Sequence, residues 1–147
     1  MEIQMDNNTR FYEDEEGFVH VPVRVRYADT DKMGIVYYGT YPVYFEIGRS
    51  EYMRQKGFTY RTLEEMGFHL VVVRMELKYY NSAEYDDNLT VRTKISEWKS
   101  RGLTFQYKIY RDKDIIVEGK TMHICTNSNK KPVIIPKQLQ EILRNAV

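Results

Sequence analysis

A chain of 147 residues, 42% hydrophobic and 14% aromatic, suits one globular domain built around one core. Its 22 Lys and Arg against 21 Asp and Glu leave a formal charge of +1, which argues against the broad basic field of a nucleic-acid-binding protein, so any anion site is local. Cys125 is the single cysteine, which excludes an intrachain disulfide framework and a cysteine-based zinc cluster and fits a reducing compartment, with the cytoplasm expected. No apolar run approaches the ~20 residues of a membrane-spanning helix. The N-terminal MEIQMDNNTRFYEDEEG has neither the basic start nor the apolar stretch of a signal peptide, so a soluble, unexported protein is expected.

Residues 1–16 are polar and end in the acidic run Glu13, Asp14, Glu15, Glu16, without a periodic apolar face; they read as a flexible N-terminal arm. Residues 17–147 read as a single domain. From Phe18 onward, Val19, Val21, Val23, Val25 and Tyr27 alternate with polar residues, the period of a strand with one buried face. Pro22 has no N–H for a ladder and places this strand at an edge or a bulge. Tyr41, Tyr44, Phe45, Gly48 and Tyr52 then recur at offsets of three and four, the apolar stripe of a helix that Pro42 opens and Gly57 closes. Glycine inside a helix costs roughly 1 kcal/mol relative to alanine, so Gly48 on that stripe predicts the close approach of another backbone, as when the helix lies on a sheet.

Four strands are predicted beyond the helix, at His69–Tyr80, Asn88–Trp98, Leu103–Arg111 and Ile115–Thr126, with short turns implying antiparallel neighbours. The period of two points Val71, Val73, Met75 and Leu77 inward, then Leu89, Val91 and Ile95, then Leu103, Phe105, Tyr107 and Ile109. Leu139, Ile142, Leu143 and Ala146 give a short terminal helix. The order strand, helix, four strands defines an α+β domain with an antiparallel sheet and its helix on one face. The 13 tyrosines suit an amphipathic subunit interface and, equally, a scatter over strand surfaces.

The segment Tyr27 to Tyr41, YADTDKMGIVYYGTY, joins the first strand to the helix through two aspartates and a glycine. Gly34 lets the backbone bend, and a helix start offers unpaired N–H groups with about half a positive charge, suited to a carbonyl oxygen gaining negative charge. Loss of one such donor in acyl-transfer enzymes costs on the order of 10²–10³ in rate. Hydrolysis at such a carbonyl also needs a nucleophile or a base acting on water, and a carboxylate serves in either role.

This segment resembles the signature of the 4-hydroxybenzoyl-CoA thioesterase branch of the hotdog-fold family, in which a strand is followed by Asp-x-Asp-x-x-Gly-hydrophobic-Val-aromatic. The helix EIGRSEYM and the strand VVVRMELKYYNSAEYDD are similar to those of the bacterial relatives associated with the Tol-Pal envelope system. The resemblance covers about residues 18–137, and its specific part is the aspartate loop. It implies a hotdog fold, a sheet wrapped around a long central helix, and dimers joined edge to edge, with a homotetramer left open. It further implies an acyl-CoA thioesterase with no metal or other cofactor, coenzyme A being part of the substrate. The second aspartate of the pair maps onto Asp31, as nucleophile or general base. The polarising amide maps onto Tyr38, where many relatives place histidine and some tyrosine. Gly34 and Val36 complete the substrate-contacting loop.

The phosphates of coenzyme A need local cations, for which Lys99 and Arg101 in the KSRG turn and the pair Lys130 and Lys131 are candidates. Asp29 reads as a turn former or cap, and Glu46 as a helix glutamate paired with Arg49 or with the sheet. His20, His69 and His123 lack the spacing of a metal set. The aspartate loop has no bidentate glutamate at calcium-ligand spacing, and no G-x-S-x-G elbow, P-loop or G-x-G-x-x-G is present. A thioesterase acting on acyl carrier protein and a non-catalytic acyl-CoA binding module remain as alternatives.

Overall fold

The alternation that starts at Val19 becomes strand β2 in the computed structural model, which describes residues 11–145. Ahead of it Tyr12–Glu13 form β1; behind it come helix α1 (Tyr41–Gln55), helix α2 (Tyr60–Glu65), strands β3 (Phe68–Tyr79), β4 (Asn88–Trp98), β5 (Gly102–Arg111) and β6 (Asp114–Asn127), and helix α3 (Lys137–Asn145). The strands form one six-stranded sheet in the order β1-β2-β4-β5-β6-β3, with antiparallel pairing throughout. Short turns link β4, β5 and β6 as expected. The SAEYDD connection is different: it carries the chain from β3 to the far half of the sheet, so β3 and β4 follow one another in sequence without pairing.

The core lies between α1 and one sheet face. Tyr44, Phe45, Tyr52 and Met53 on the helix meet Val19, Val21, Leu89, Val91, Phe105, Tyr107 and Ile109 from the strands, all buried. Phe45 stacks on Tyr107 with ring centroids 4.2 Å apart. Two glycines bring helix and sheet together: a Cβ on Gly48 would strike Thr93 and Val91 of β4, and one on Gly119 of β6 would lie 2.7 Å from the Phe45 ring. The close approach predicted at Gly48 is thus present. Gly57, at φ +86, follows the last turn of α1 as a left-handed terminator.

Three expectations need correction. β3 does not keep a period of two, because a register shift between Val72 and Arg74 inserts an extra residue. Through their partners, Leu70, Val72, Met75 and Leu77 share the helix-side face with Cys125, His123, Thr121 and Gly119, so Val71 and Val73 do not point inward. β3 is also a sheet edge, and Val71, Val72, Val73 and Met75 are all exposed in the single chain. Helix α2 was not anticipated: it has six residues, one buried side chain (Leu63) and a Thr59 cap that accepts from the Thr62 N–H, too little for a legible period.

Of the expected N-terminal arm, residues 1–10 lie outside the described residues. Its described end is docked by the pairing of β1 with β2 and by Glu13 to Lys56 and Asp14 to His20 ion pairs of 2.6 and 2.8 Å. In the terminal helix Leu139 and Leu143 are buried, while Ala146 falls outside the described residues.

Candidate active site

The aspartate loop is fixed at both ends before it offers anything to a ligand. Val25 N–H donates to Asp87, ending the β2 ladder, and Tyr27–Asp29 make a single 3-10 turn. Asp29 turns inward, 3% exposed. Its carboxylate accepts from the Arg26 N–H at 3.0 Å, the Arg26 guanidinium at 2.8 Å and the Tyr44 hydroxyl at 2.9 Å. Burial pushes this carboxyl upward, and these donors outweigh it, holding it below the ordinary aspartate value. The reading of Asp29 as a capping and turn residue is correct in kind.

Asp31 follows in a loop pinched by the Thr30 to Val36 bridge and by Asp31 N–H to Ile35 carbonyl at 2.8 Å. Gly34, at φ +80, closes the turn by donating to the Asp31 carbonyl, and Met33 N–H caps one Asp31 carboxylate oxygen at 2.8 Å. The other oxygen makes no hydrogen bond among the described residues. Val36 is buried and donates to Ala83, anchoring the far end of the loop beneath the β3 to β4 connection.

Tyr38 begins a 3-10 turn, Tyr38–Thr40, that runs directly into α1. The N–H of a first helical residue has no acceptor within its own helix, and Tyr37 supplies no side-chain cap. The Tyr38 side chain is 65% exposed, so the main-chain amide, rather than the phenol, is its fixed element. Tyr79, the last residue of β3, holds the Tyr38 carbonyl through its hydroxyl at 3.0 Å.

Asp31, Val36 and Tyr38 line one cavity of about 290 Å³, walled by Tyr41, Tyr79 and Asn81. The tyrosine wall was missed because Tyr79 and Asn81 reach the loop only through the fold. Burial and the neighbouring Tyr79 drive the Tyr41 phenol up to about 12, so it is a neutral hydrogen-bonding wall.

Lys99 and Arg101 line a second cavity of about 630 Å³, joined by Arg74 from β3, which sequence reasoning did not single out. Arg74 precedes Tyr79 by five residues, roughly 17 Å along the strand. Lys130 and Lys131 are exposed on the β6 to α3 turn and do not line that cavity, although Pro132 beside them does. Glu46 is exposed on α1 and makes no ion pair among the described residues. His20 pairs with Asp14, His69 is exposed, and His123 is buried with its Nε2 2.7 Å from Thr121 Oγ1.

A long helix packed on one face of a six-stranded antiparallel sheet, with the aspartate loop and the helix start lining one cavity beside it, makes a hotdog fold. Residues 25–143 match the family model of the Thioesterase-like superfamily, and the chain belongs to that family. It is 37% identical to an acyl-CoA thioesterase, YbgC, of Haemophilus influenzae over 81% of this chain and 89% of that protein. A hypothetical protein from Thermus thermophilus superposes with a TM-score of 0.84 at 31% identity, covering 87% of this chain and 98% of the other. The 4-hydroxybenzoyl CoA thioesterase of Pseudomonas sp. strain CBS-3 shares the fold with a TM-score of 0.77 at 20% identity, over 85% of this chain and 98% of that one.

Proposed function

We infer that the protein is an acyl-CoA thioesterase that converts acyl-S-CoA and water to a carboxylate and CoA, with Asp31 and the Tyr38 amide as its working groups. The observation carrying this reading is that both residues line the same cavity. The thioester carbonyl oxygen accepts from the Tyr38 N–H, whose helix-start position favours the negative charge that develops there. Asp31 then acts in one of two balanced ways. It attacks the acyl carbon, expelling CoA thiolate and leaving an anhydride that water opens, or it takes a proton from water as that water attacks the acyl carbon, the C–S bond breaks and the departing CoA thiolate takes up the proton. Neither route needs a metal or prosthetic group.

Lys99, Arg101 and Arg74 supply cations for the phosphates of CoA, at the end of an extended pantetheine arm. Lys130 and Lys131 add charge on the adjoining turn. β3 presents an unpaired backbone edge and a run of exposed valines, which supports a homodimer in which two such edges meet. A buried, unpaired Cys125 suits the cytoplasm.

The test is CoA release from short, long and aromatic acyl-CoAs, and from matched carrier-protein thioesters, by wild type and Asp31→Ala. Turnover falling by at least about 10²-fold in a folded variant is expected. Equal turnover would refute the assignment of Asp31, and hydrolysis of the carrier-protein thioesters alone would replace CoA as the carrier.

A further inference from the structure

Asp29 has no place in the chemistry above, yet it is the residue on which both halves of the site converge. Its side chain takes the two guanidinium and main-chain contacts of Arg26 already described, together with the hydroxyl of Tyr44. Tyr44 lies one turn inside α1 and is 1% exposed. Its phenol is raised by burial and by the Asp29 hydrogen bond, so it remains a donor across the working pH range.

The main-chain carbonyl of Asp29 accepts the Tyr37 N–H at 2.9 Å and the Thr40 hydroxyl at 3.3 Å. Tyr37 and Thr40 flank Tyr38 on either side, and Asp29 itself lies two residues before Asp31. One buried aspartate therefore ties the end of β2, the loop bearing Asp31, the turn bearing the Tyr38 amide and the first turns of α1.

We propose that Asp29, held by Tyr44, is a positioning residue that sets the spacing between the Asp31 carboxylate and the Tyr38 amide. This rests on the roles of Asp31 and Tyr38 given above. The physical argument is one of precision. A loop tethered at one end swings, whereas the Asp29 carboxylate fixes the incoming strand side and its carbonyl fixes the outgoing helix side. A misplacement of about 1 Å in such a pair costs on the order of 10²-fold in rate. A buried ionised carboxylate with several donors is also stiffer than a neutral turn residue, since its hydrogen bonds are charge-assisted.

The test compares Tyr44→Phe, Asp29→Asn and Asp31→Asn with wild type on one acyl-CoA, measuring kcat, KM, thermal midpoint and affinity for a non-hydrolysable thioether analogue. Tyr44→Phe keeps the ring in the core and removes one donor; kcat is expected to fall about tenfold with KM and analogue affinity within about twofold. Asp29→Asn is expected to lower kcat further with the same split.

Unchanged kcat in folded Tyr44→Phe would overturn the proposal. So would a loss that vanishes when the assay is run well below the thermal midpoint, because that is the behaviour of a structural residue. Should Asp29→Asn fail to fold, Tyr44→Phe decides the matter. Wild-type turnover in Asp31→Asn would instead sink the catalytic reading, independently of Asp29.

Discussion

Replacing Gly48 with alanine drives a methyl group against Thr93 Oγ1 and to 2.8 Å from Val91 Cγ1, on the strand beneath α1. Two contributions oppose one another. Alanine is favoured over glycine in a helix interior by roughly 1 kcal/mol. Against this, forcing a methyl into a packed core costs about 1–3 kcal/mol, toward the upper end here because both neighbours are β-branched and stiff at χ1. The net expectation is a destabilisation of about 1–2 kcal/mol. Thr93 Oγ1 is buried without a hydrogen-bond partner among the described residues, so Thr93→Ala removes part of the obstruction and breaks no hydrogen bond among them. Urea unfolding of wild type, both single variants and the double variant should show Gly48→Ala less damaging in the Thr93→Ala background, with a coupling of at least about 0.5 kcal/mol. A Gly48→Ala protein as stable as wild type, or strictly additive effects, would refute the argument from close approach.

Burial, reinforced by the charge of Arg49, lowers the His123 imidazole from 6.5 to about 4. Between these values the unfolded chain binds a proton that the folded chain refuses, so stability present above pH 6.5 is lost as pH falls toward 4, by roughly 3 kcal/mol. His123→Gln should lose that part of the acid slope in urea titrations at pH 7 and 4.5, and an unaltered slope would contradict it. Arg101→Ala and Lys99→Ala should raise KM for CoA thioesters about tenfold with kcat unchanged. Neither should affect an N-acetylcysteamine thioester, which lacks the phosphates; equal effects on both substrates would remove the cations from the nucleotide site. Met75→Lys with Val72→Lys should turn a dimer into a monomer by light scattering, since charges on an open edge oppose strand addition. An unchanged mass would place the interface elsewhere.

What could be read from the sequence depended on how local the governing interaction is. β4 runs Asn88–Trp98 as anticipated because Leu89, Val91, Thr93 and Ile95 alternate against a single buried face before the register shift that follows Ile95 near the strand's end. The same reasoning failed on β3, where a bulge breaks the alternation and three consecutive valines carry no face preference. Asp31, Val36 and Tyr38 fall within eight positions and line one cavity, while Gly34 shapes the turn between them without lining it, so motif and turn chemistry sufficed to bring them together. The partnership of Asp29 with Tyr44 spans fifteen positions and two elements, and Arg74 reaches Lys99 and Arg101 only by strand order. Neither relation leaves a mark on local periodicity.

Tyr79 gives β3 a double duty. Its hydroxyl steadies the Tyr38 carbonyl at one end of a strand whose outer edge pairs with no other strand among the described residues. Whatever grips that edge also leans on the turn that carries Tyr38. In the proposed dimer, with the Tyr38 amide working as proposed, assembly and turnover share a strut, and specific activity should climb with enzyme concentration until the edge is occupied.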